Sequence, residues 1–150
     1  MDHDCVQETI DRHGGEASSL IQVLLDLQSE NRWLTREAMQ LVSERLGVPL
    51  TRVQHIATFY KAFSLVPKGR HELHVCTGTA CHVRGATRVL HTLEDLTGLH
   101  AGETDADLKF SLETVSCLGC CALGPVIDVD GRMHGKLSAA DTAKVLKSYE

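Results

Sequence analysis

The sequence lacks basic runs and long apolar stretches, and aromatic residues make up only 4% of it. A formal net charge of −5 without a basic stripe argues against a nucleic-acid partner. No apolar stretch approaches the roughly 18 residues of a membrane-spanning helix, so direct insertion into a membrane is not expected. The polar and acidic segment 1–15 does not resemble a secretory signal, which predicts a reducing, cytoplasmic environment.

The composition that remains is that of a globular protein with unusual cysteine content. Hydrophobic residues, mostly Leu, Val and Ala, account for 43% of the 150 residues. This length allows one ordinary domain or two small ones. In a reducing compartment, the six cysteines more often mean metal, cluster or catalysis than structural disulfides.

The first half of the chain is predicted to be helical. Three segments with apolar residues at three-and-four spacing each follow a residue suited to a helix start, namely Ser18 or Ser19, Thr35, and Pro49. Their apolar stripes are Leu20, Ile21, Val23, Leu24, Leu25 and Leu27, then Ala38, Leu41, Val42 and Leu46, then Leu50, Val53, Ile56, Ala57 and Tyr60. A shorter opening helix contains Val6 and Ile10. These segments predict a small all-α bundle over residues 1–65.

In the second half the apolar residues follow a different spacing, which predicts a second domain over residues 66–150. A turn signal, VPKGRH at 66–71, separates the two. The predicted elements are a strand (HELHV) before Cys76, a helix over 82–98, a strand over 108–116, a hairpin turning at Asp130-Gly131, and a helix opened by Ser138. The inward residues of the first helix are expected to be Val83, Ala86, Leu90, Leu93 and Leu96. This order is typical of a thioredoxin-like α/β sandwich with helices on a mixed sheet.

Two cysteine pairs follow predicted strands in the second half. Cys76 and Cys81 form C-x4-C, and Cys117 and Cys121 form C-x3-C. Because strand ends present the loops and ligands of an α/β sheet, four thiolates from two such loops can converge on one site.

Glycines and a helix are expected to support these loops. Gly78 and Gly119 let the backbone bend tightly and bring N–H groups toward the sulfurs. The helix after Cys81 would point its partially positive N-terminus at the site and stabilise negative charge there.

Three chemistries compete for the cysteines. A zinc site with four cysteine ligands accepts both spacings. A [2Fe-2S] cluster also takes four cysteines, although the spacing differs from the plant-type and bacterial ferredoxin patterns. A thiol–disulfide site would use Cys117 and Cys120, but that motif normally follows the first strand of the thioredoxin fold, where this chain has CTGTAC. Spacing alone favours cluster and zinc about equally and the dithiol less.

The motifs VCTGTACHVRGA and SCLGCCALGPV, with 35 residues between Cys81 and Cys117, resemble the thioredoxin-like [2Fe-2S] ferredoxin family. The segment LGVPLTRVQHIATFYKAFSL is similar to the helical region that precedes the cluster domain in this family, so the resemblance covers roughly residues 18–150. Members include the small iron–sulfur subunit of NADH dehydrogenases such as complex I. Similar small subunits occur in NAD-linked and electron-bifurcating hydrogenases and in formate dehydrogenases.

The resemblance implies a one-electron carrier without substrate turnover of its own. Its ligands would be Cys76 and Cys81 on one iron and Cys117 and Cys121 on the other, while Cys120 falls where the family requires no cysteine. FMN, NAD(H) and further Fe–S clusters would lie on partner subunits, chiefly a flavoprotein that exchanges electrons with this chain. The sequence itself has no G-x-G-x-x-G after a strand and no P-loop. The expected location is the cytoplasm or the cytoplasmic face of a membrane complex.

Other candidate side chains have alternative interpretations. Cys120 is a resolving thiol, a partner for Cys5, or a small buried side chain, which is the commonest role of a free cysteine. Arg84 and Arg88 tune the potential of the cluster, contact a partner, or form a solvated helix face.

Overall fold

The computed structural model describes residues 3–149. By its internal contacts the chain divides into two compact units, one reaching to Pro67 and the other beginning at Lys68. Residues 1, 2 and 150, the ends of the two predicted domains, lie outside the described part. Among the helices of residues 3–149, none combines the length and the apolar character that crossing a membrane requires.

The first unit is helical, as predicted. Its helices are α1 (His3–Arg12), α2 (Leu20–Asn31), α3 (Arg36–Leu46) and α4 (Leu50–Phe59). The start and end of α3 confirm the sequence signals. The Thr35 side chain accepts a hydrogen bond from the Ala38 N–H at 3.1 Å, and Gly47 ends the helix with a φ of 63°.

Some predicted details of this unit are wrong. The Ser19 hydroxyl does not cap α2, because it donates at 2.7 Å to the Glu16 carbonyl in the preceding 3₁₀ turn. The apolar stripes of α2 and α4 are also narrower than predicted. Ile21 and Leu25 of the first stripe and Tyr60 of the second are exposed. In α2 the buried positions follow three-and-four spacing, which leaves Ile21 and Leu25 on the other side. Tyr60 lies just beyond the end of α4.

Two adjacent leucines of α2 provide a test of this core. Leu24 is fully buried, whereas Leu25 is 42% exposed. We expect Leu24→Ala to lower the free energy of unfolding by about 2–5 kcal/mol, because it removes packed methyl groups and leaves a cavity. The matched control Leu25→Ala should change it by no more than about 0.5 kcal/mol. Urea unfolding measures both values, and equal losses would contradict the assigned core face.

The second unit has the predicted α/β fold. Its strands are β1 (His71–Cys76), β2 (Phe110–Val115), β3 (Ile127–Val129) and β4 (Arg132–His134), and its helices are α5 (Thr79–Val83), α6 (Ala86–Thr97) and α7 (Ala139–Lys147). The sheet order is β2-β1-β3-β4, with β1 parallel to β2 and antiparallel to β3. The mixed sheet and the hairpin turn at Asp130-Gly131, where both residues have positive φ, confirm the sequence predictions.

The core of this unit lies between the sheet and two helices. Leu73 and Val75 of β1 share one buried cluster with Val89 and Leu93 of α6 and with Leu146 of α7. This packing orients β1 and β2, whose register pairs their last residues, Cys76 and Val115. The loops that follow the two strands therefore leave the same edge of the sheet side by side.

The predicted helix over 82–98 is two helices. Gly85, with a φ of 104°, separates α5 from α6 and changes the rotational phase of the apolar residues. Val83, which precedes the break, is therefore 80% exposed rather than inward. Leu96, in the last turn of α6, is 50% exposed. Val89, which the prediction did not include, is buried instead.

Candidate metal centre

The four cysteines of the two pairs lie around one cavity. It has a volume of about 400 Å³, and its wall consists of Cys76, Gly78, Thr79, Ala80, Cys81, Ser116, Cys117 and Cys121. The parallel register of β1 and β2 explains this placement, because it starts both cysteine loops at one sheet edge.

The two pairs differ in their exposure. Cys76 and Cys81 are buried, whereas Cys117 and Cys121 are exposed. A group held by all four thiols would therefore be covered by protein on the side of the first pair and accessible on the side of the second.

The sulfur positions suit pairs of ligands. The Sγ atoms of Cys117 and Cys121 are 3.9 Å apart. Two thiolates bound tetrahedrally to one metal at about 2.3 Å have sulfurs about 3.8 Å apart. The Cys76 thiol is in hydrogen-bonding contact with both Cys81 and Cys117, which links the two pairs. In the described residues, no group of three or more His, Cys, Asp or Glu side chains is arranged to hold one metal ion. The four thiols are therefore arranged as two pairs and not as one set around a single ion.

Both loops share a C-x-G sequence that directs a backbone N–H to the sulfur. The Gly119 N–H donates to Cys117 Sγ at 3.3 Å, and the Gly78 N–H donates to the Cys76 sulfur. The expectation that these glycines bring N–H groups to the sulfurs is confirmed. Such donors stabilise negative charge on sulfur.

The two glycines are required for different reasons. Gly119 has a φ of 79°, which supports the predicted tight bend. Gly78 has an ordinary φ of −57°. A Cβ atom on Gly78 would lie 2.7 Å from the Ser116 carbonyl oxygen, so this position needs glycine because the two cysteine loops approach closely.

The Cys76 thiol has a lowered pKa. Burial acts to raise this pKa, but hydrogen bonds from the N–H groups of Gly78 and Leu118 and from the thiols of Cys81 and Cys117 outweigh it. The contribution of Leu118 was not predicted. Its only sequence signal is its position directly after Cys117.

The other two shifted thiols have a raised pKa. Burial raises the pKa of Cys81, and the neighbouring Cys76 adds to the effect, whereas the Val126 N–H opposes it. The pKa of Cys121 is raised first by its hydrogen bond with Cys117 and then by the charge of that neighbour. Crowding of like-charged sulfurs is thus a property of this cavity.

The predicted start of the helix after Cys81 is wrong. α5 begins at Thr79, so Cys81 lies inside this short helix rather than ahead of it. The next helix, α6, begins at Ala86, after the Gly85 break. The chain enters α5 directly from the loop that follows β1, which places Cys81 on a helical turn.

The remaining cysteines lie outside the cavity wall. Cys120 is half-buried, contacts the Leu118 carbonyl with its thiol at 3.7 Å, and packs against the small apolar cluster that contains Cys76 and Cys81. Cys5 lies in the helical unit, where its thiol donates to Glu30 at 2.7 Å. The role of Cys120 as a small, partly buried side chain is the alternative that these contacts favour.

The model of the thioredoxin-like [2Fe-2S] ferredoxin family matches residues 6–150. The chain belongs to this family. The match begins closer to the N-terminus than residue 18, from which the motifs indicated a resemblance. The group that this family carries is a [2Fe-2S] cluster, which takes up and releases one electron.

Two curated relatives cover most of this ferredoxin-family chain. The HndA subunit of the NADP-reducing hydrogenase of Solidesulfovibrio fructosivorans is 36% identical over 130 residues, which are 87% of this chain and 76% of the relative. A subunit of the NADH-quinone oxidoreductase of Rhizobium meliloti is 36% identical over 138 residues, 92% of this chain and 82% of the relative.

A solved structure supports the fold. A chain of an NAD+-reducing [NiFe]-hydrogenase in the air-oxidized state matches 87% of this chain with a TM-score of 0.74 and 21% sequence identity. This chain covers 22% of that hydrogenase chain. At this identity the match concerns the fold alone.

The donor set fits the family's cluster. Four cysteine sulfurs line one cavity, and one sulfur pair has the separation expected for two ligands of one metal. Backbone N–H groups directed at Cys76 and Cys117 would stabilise the negative charge of ligating sulfurs.

Proposed function

We propose that this chain holds one [2Fe-2S] cluster on Cys76, Cys81, Cys117 and Cys121 and exchanges single electrons with the FMN of an NAD(H)-binding flavoprotein subunit. The observation that carries the proposal is the placement of these four thiols around one cavity. Membership of the ferredoxin family supports the cluster over a zinc ion. By itself the chain performs no substrate turnover.

The unequal exposure of the ligands suits electron exchange. Cys76 and Cys81 anchor one side of the site in the protein interior, where hydrogen bonds and low solvent access tune a redox group. Cys117 and Cys121 form the exposed side. A redox partner would approach from that side, because it gives the shortest distance to the cluster.

The relatives support a multisubunit setting. One is named as a subunit of an NADP-reducing hydrogenase and another as a subunit of an NADH-quinone oxidoreductase. An assembly of this type would supply FMN, NAD(H) and further Fe–S clusters on other subunits.

The helical bundle of residues 1–65 would be a domain separate from the cluster domain of residues 66–150. A reducing location, in the cytoplasm or at the cytoplasmic face of a membrane complex, agrees with six cysteines that form no disulfide within residues 3–149.

Metal analysis of the anaerobically purified chain tests the cofactor. We expect a coloured protein with about two irons and two acid-labile sulfides per chain, whose visible absorption bleaches on reduction. A colourless protein with one zinc and no sulfide would indicate a structural zinc module instead. A metal-free protein with a reversible Cys117–Cys120 disulfide would indicate a thiol–disulfide oxidoreductase.

Electron exchange is tested separately with the native complex. The chain is affinity-tagged in its source organism, and the proteins that co-purify are assayed for FMN and for NAD(H) oxidation. We expect a flavin-containing partner whose reduction by NADH is followed by bleaching of the cluster spectrum. A loaded cluster that stays oxidised while the flavin is fully reduced would contradict this electron path.

A further inference from the structure

We infer that Arg84 is a positioning residue for the cluster: it ties the two ligand segments together and places a permanent positive charge beside the second one. The inference rests on the proposed function, and its basis is a contact that joins the two cysteine motifs. The Nη1 atom of Arg84 donates a hydrogen bond to the carbonyl oxygen of Cys121 at 2.6 Å.

The local backbone conformation allows the Arg84 side chain to extend to the carbonyl oxygen of Cys121. α5 ends at Val83, and the Arg84 N–H closes the turn by donating to the His82 carbonyl. Gly85 then turns the chain with a φ of 104°. Arg84 therefore occupies the junction between two helices. From that junction its side chain, although exposed, extends to the other cysteine loop.

The bond acts at the more exposed half of the site. Cys121 begins a short 3₁₀ turn, and a longer bond, from the Gly124 N–H at 3.3 Å, also reaches its carbonyl. Arg84 supplies a shorter, charge-assisted bond. Since Cys81 and Arg84 lie three residues apart, this bond fixes the segment of the first pair relative to a ligand of the second.

The charge of Arg84 has a separate consequence. Reduction adds one negative charge to the site, and a nearby cation stabilises the reduced form more than the oxidised form. Arg84 should therefore raise the reduction potential of the cluster.

Arg88 is a matched control. Both arginines are exposed and line the same cavity of about 310 Å³. Within the part of the chain that the structure describes, the Arg88 guanidinium makes no hydrogen bond to either cysteine loop. The two side chains thus share charge and exposure, whereas the bond that brings the positive charge to Cys121 is specific to Arg84.

The test compares Arg84→Gln, Arg84→Lys and Arg88→Gln in the full chain. The measurements are the midpoint potential, titrated by electron paramagnetic resonance of the reduced cluster, and the rate of iron release to a chelator. We expect Arg84→Gln to have a more negative potential and to release iron on the order of tenfold faster, as loss of one charge-assisted bond implies. Arg84→Lys should keep a potential near that of wild type and release iron at an intermediate rate.

If Arg84→Gln and Arg88→Gln had the same midpoint potential and the same rate of iron release, the inference would be overturned. If circular dichroism shows that Arg84→Gln is unfolded, Arg84→Lys is compared with Arg88→Lys, and equal iron release from these two overturns it as well. Wild-type protein without iron and sulfide would refute the proposed function and this role together. Wild-type protein with a cluster, and no difference between the two arginines, would refute only the role of Arg84.

Discussion

Replacement of Cys117 or Cys121 by serine is expected to remove the cluster from the purified chain or to change its visible spectrum, whereas Cys120→Ser keeps both the cluster and the spectrum. All three changes exchange one atom within a stretch of five residues. Cys117 and Cys121 line the cavity with sulfurs 3.9 Å apart, and Cys120 packs beside it. Serine oxygen is a much weaker ligand for iron in such a cluster than thiolate sulfur.

The measurement is iron and acid-labile sulfide per chain after anaerobic purification, with circular dichroism as a control for folding. A Cys120→Ser protein that lost its cluster would refute the ligand set, since it would place a ligand outside the four proposed. A full cluster with an unchanged visible spectrum in both Cys117→Ser and Cys121→Ser would do so as well.

Gly78→Ala should also prevent the cluster from being held, although it removes no ligand. The new Cβ atom would lie 2.7 Å from the Ser116 carbonyl oxygen and 3.6 Å from Cys76 Sγ. Because the first of these neighbours is backbone, the two cysteine loops must move apart. We expect loss of most bound iron and a decrease of about 1–3 kcal/mol in the free energy of unfolding of the apo-protein.

Two neighbouring substitutions isolate this steric effect. Thr79→Ala changes an adjacent, exposed residue of the cavity wall without adding an atom near Ser116, so it should keep most bound iron and leave stability unchanged. Gly119→Ala meets no atom within 4 Å but strains a φ of +79°, so it should cost about 1 kcal/mol and retain the cluster. If Gly78→Ala held as much iron as Thr79→Ala, close approach of the loops would not be the reason for this glycine.

Local sequence signals predicted much of the fold. Thr35 and Gly47 mark the ends of α3 because capping and positive φ depend on a few neighbouring residues. The Asp130-Gly131 hairpin follows from the same kind of local preference. Predictions failed where a stretch offered more apolar residues than one face can bury, as at Leu25, or where a single glycine interrupted a periodic pattern, as at Gly85.

The cysteine site also has features that the sequence predicts and features that it does not. Its four candidate ligands could be selected from spacing and motif resemblance, because each pair is carried by one short loop. The contacts around them could not be predicted from the sequence. The N–H donors of Leu118 and Val126 and the bond from Arg84 to Cys121 join residues whose proximity depends on tertiary packing.

By itself, the sequence determined which residues are the candidate ligands: Cys76 and Cys81 in one loop, Cys117 and Cys121 in another, each pair with a glycine in its loop. The tertiary structure decided that these loops share one cavity, since the parallel pairing of Cys76 with Val115 starts them side by side. It also gave Gly78 a steric role and Arg84 a partner in the second loop. Strand register and side-chain reach depend on contacts between distant segments, which local patterns do not specify.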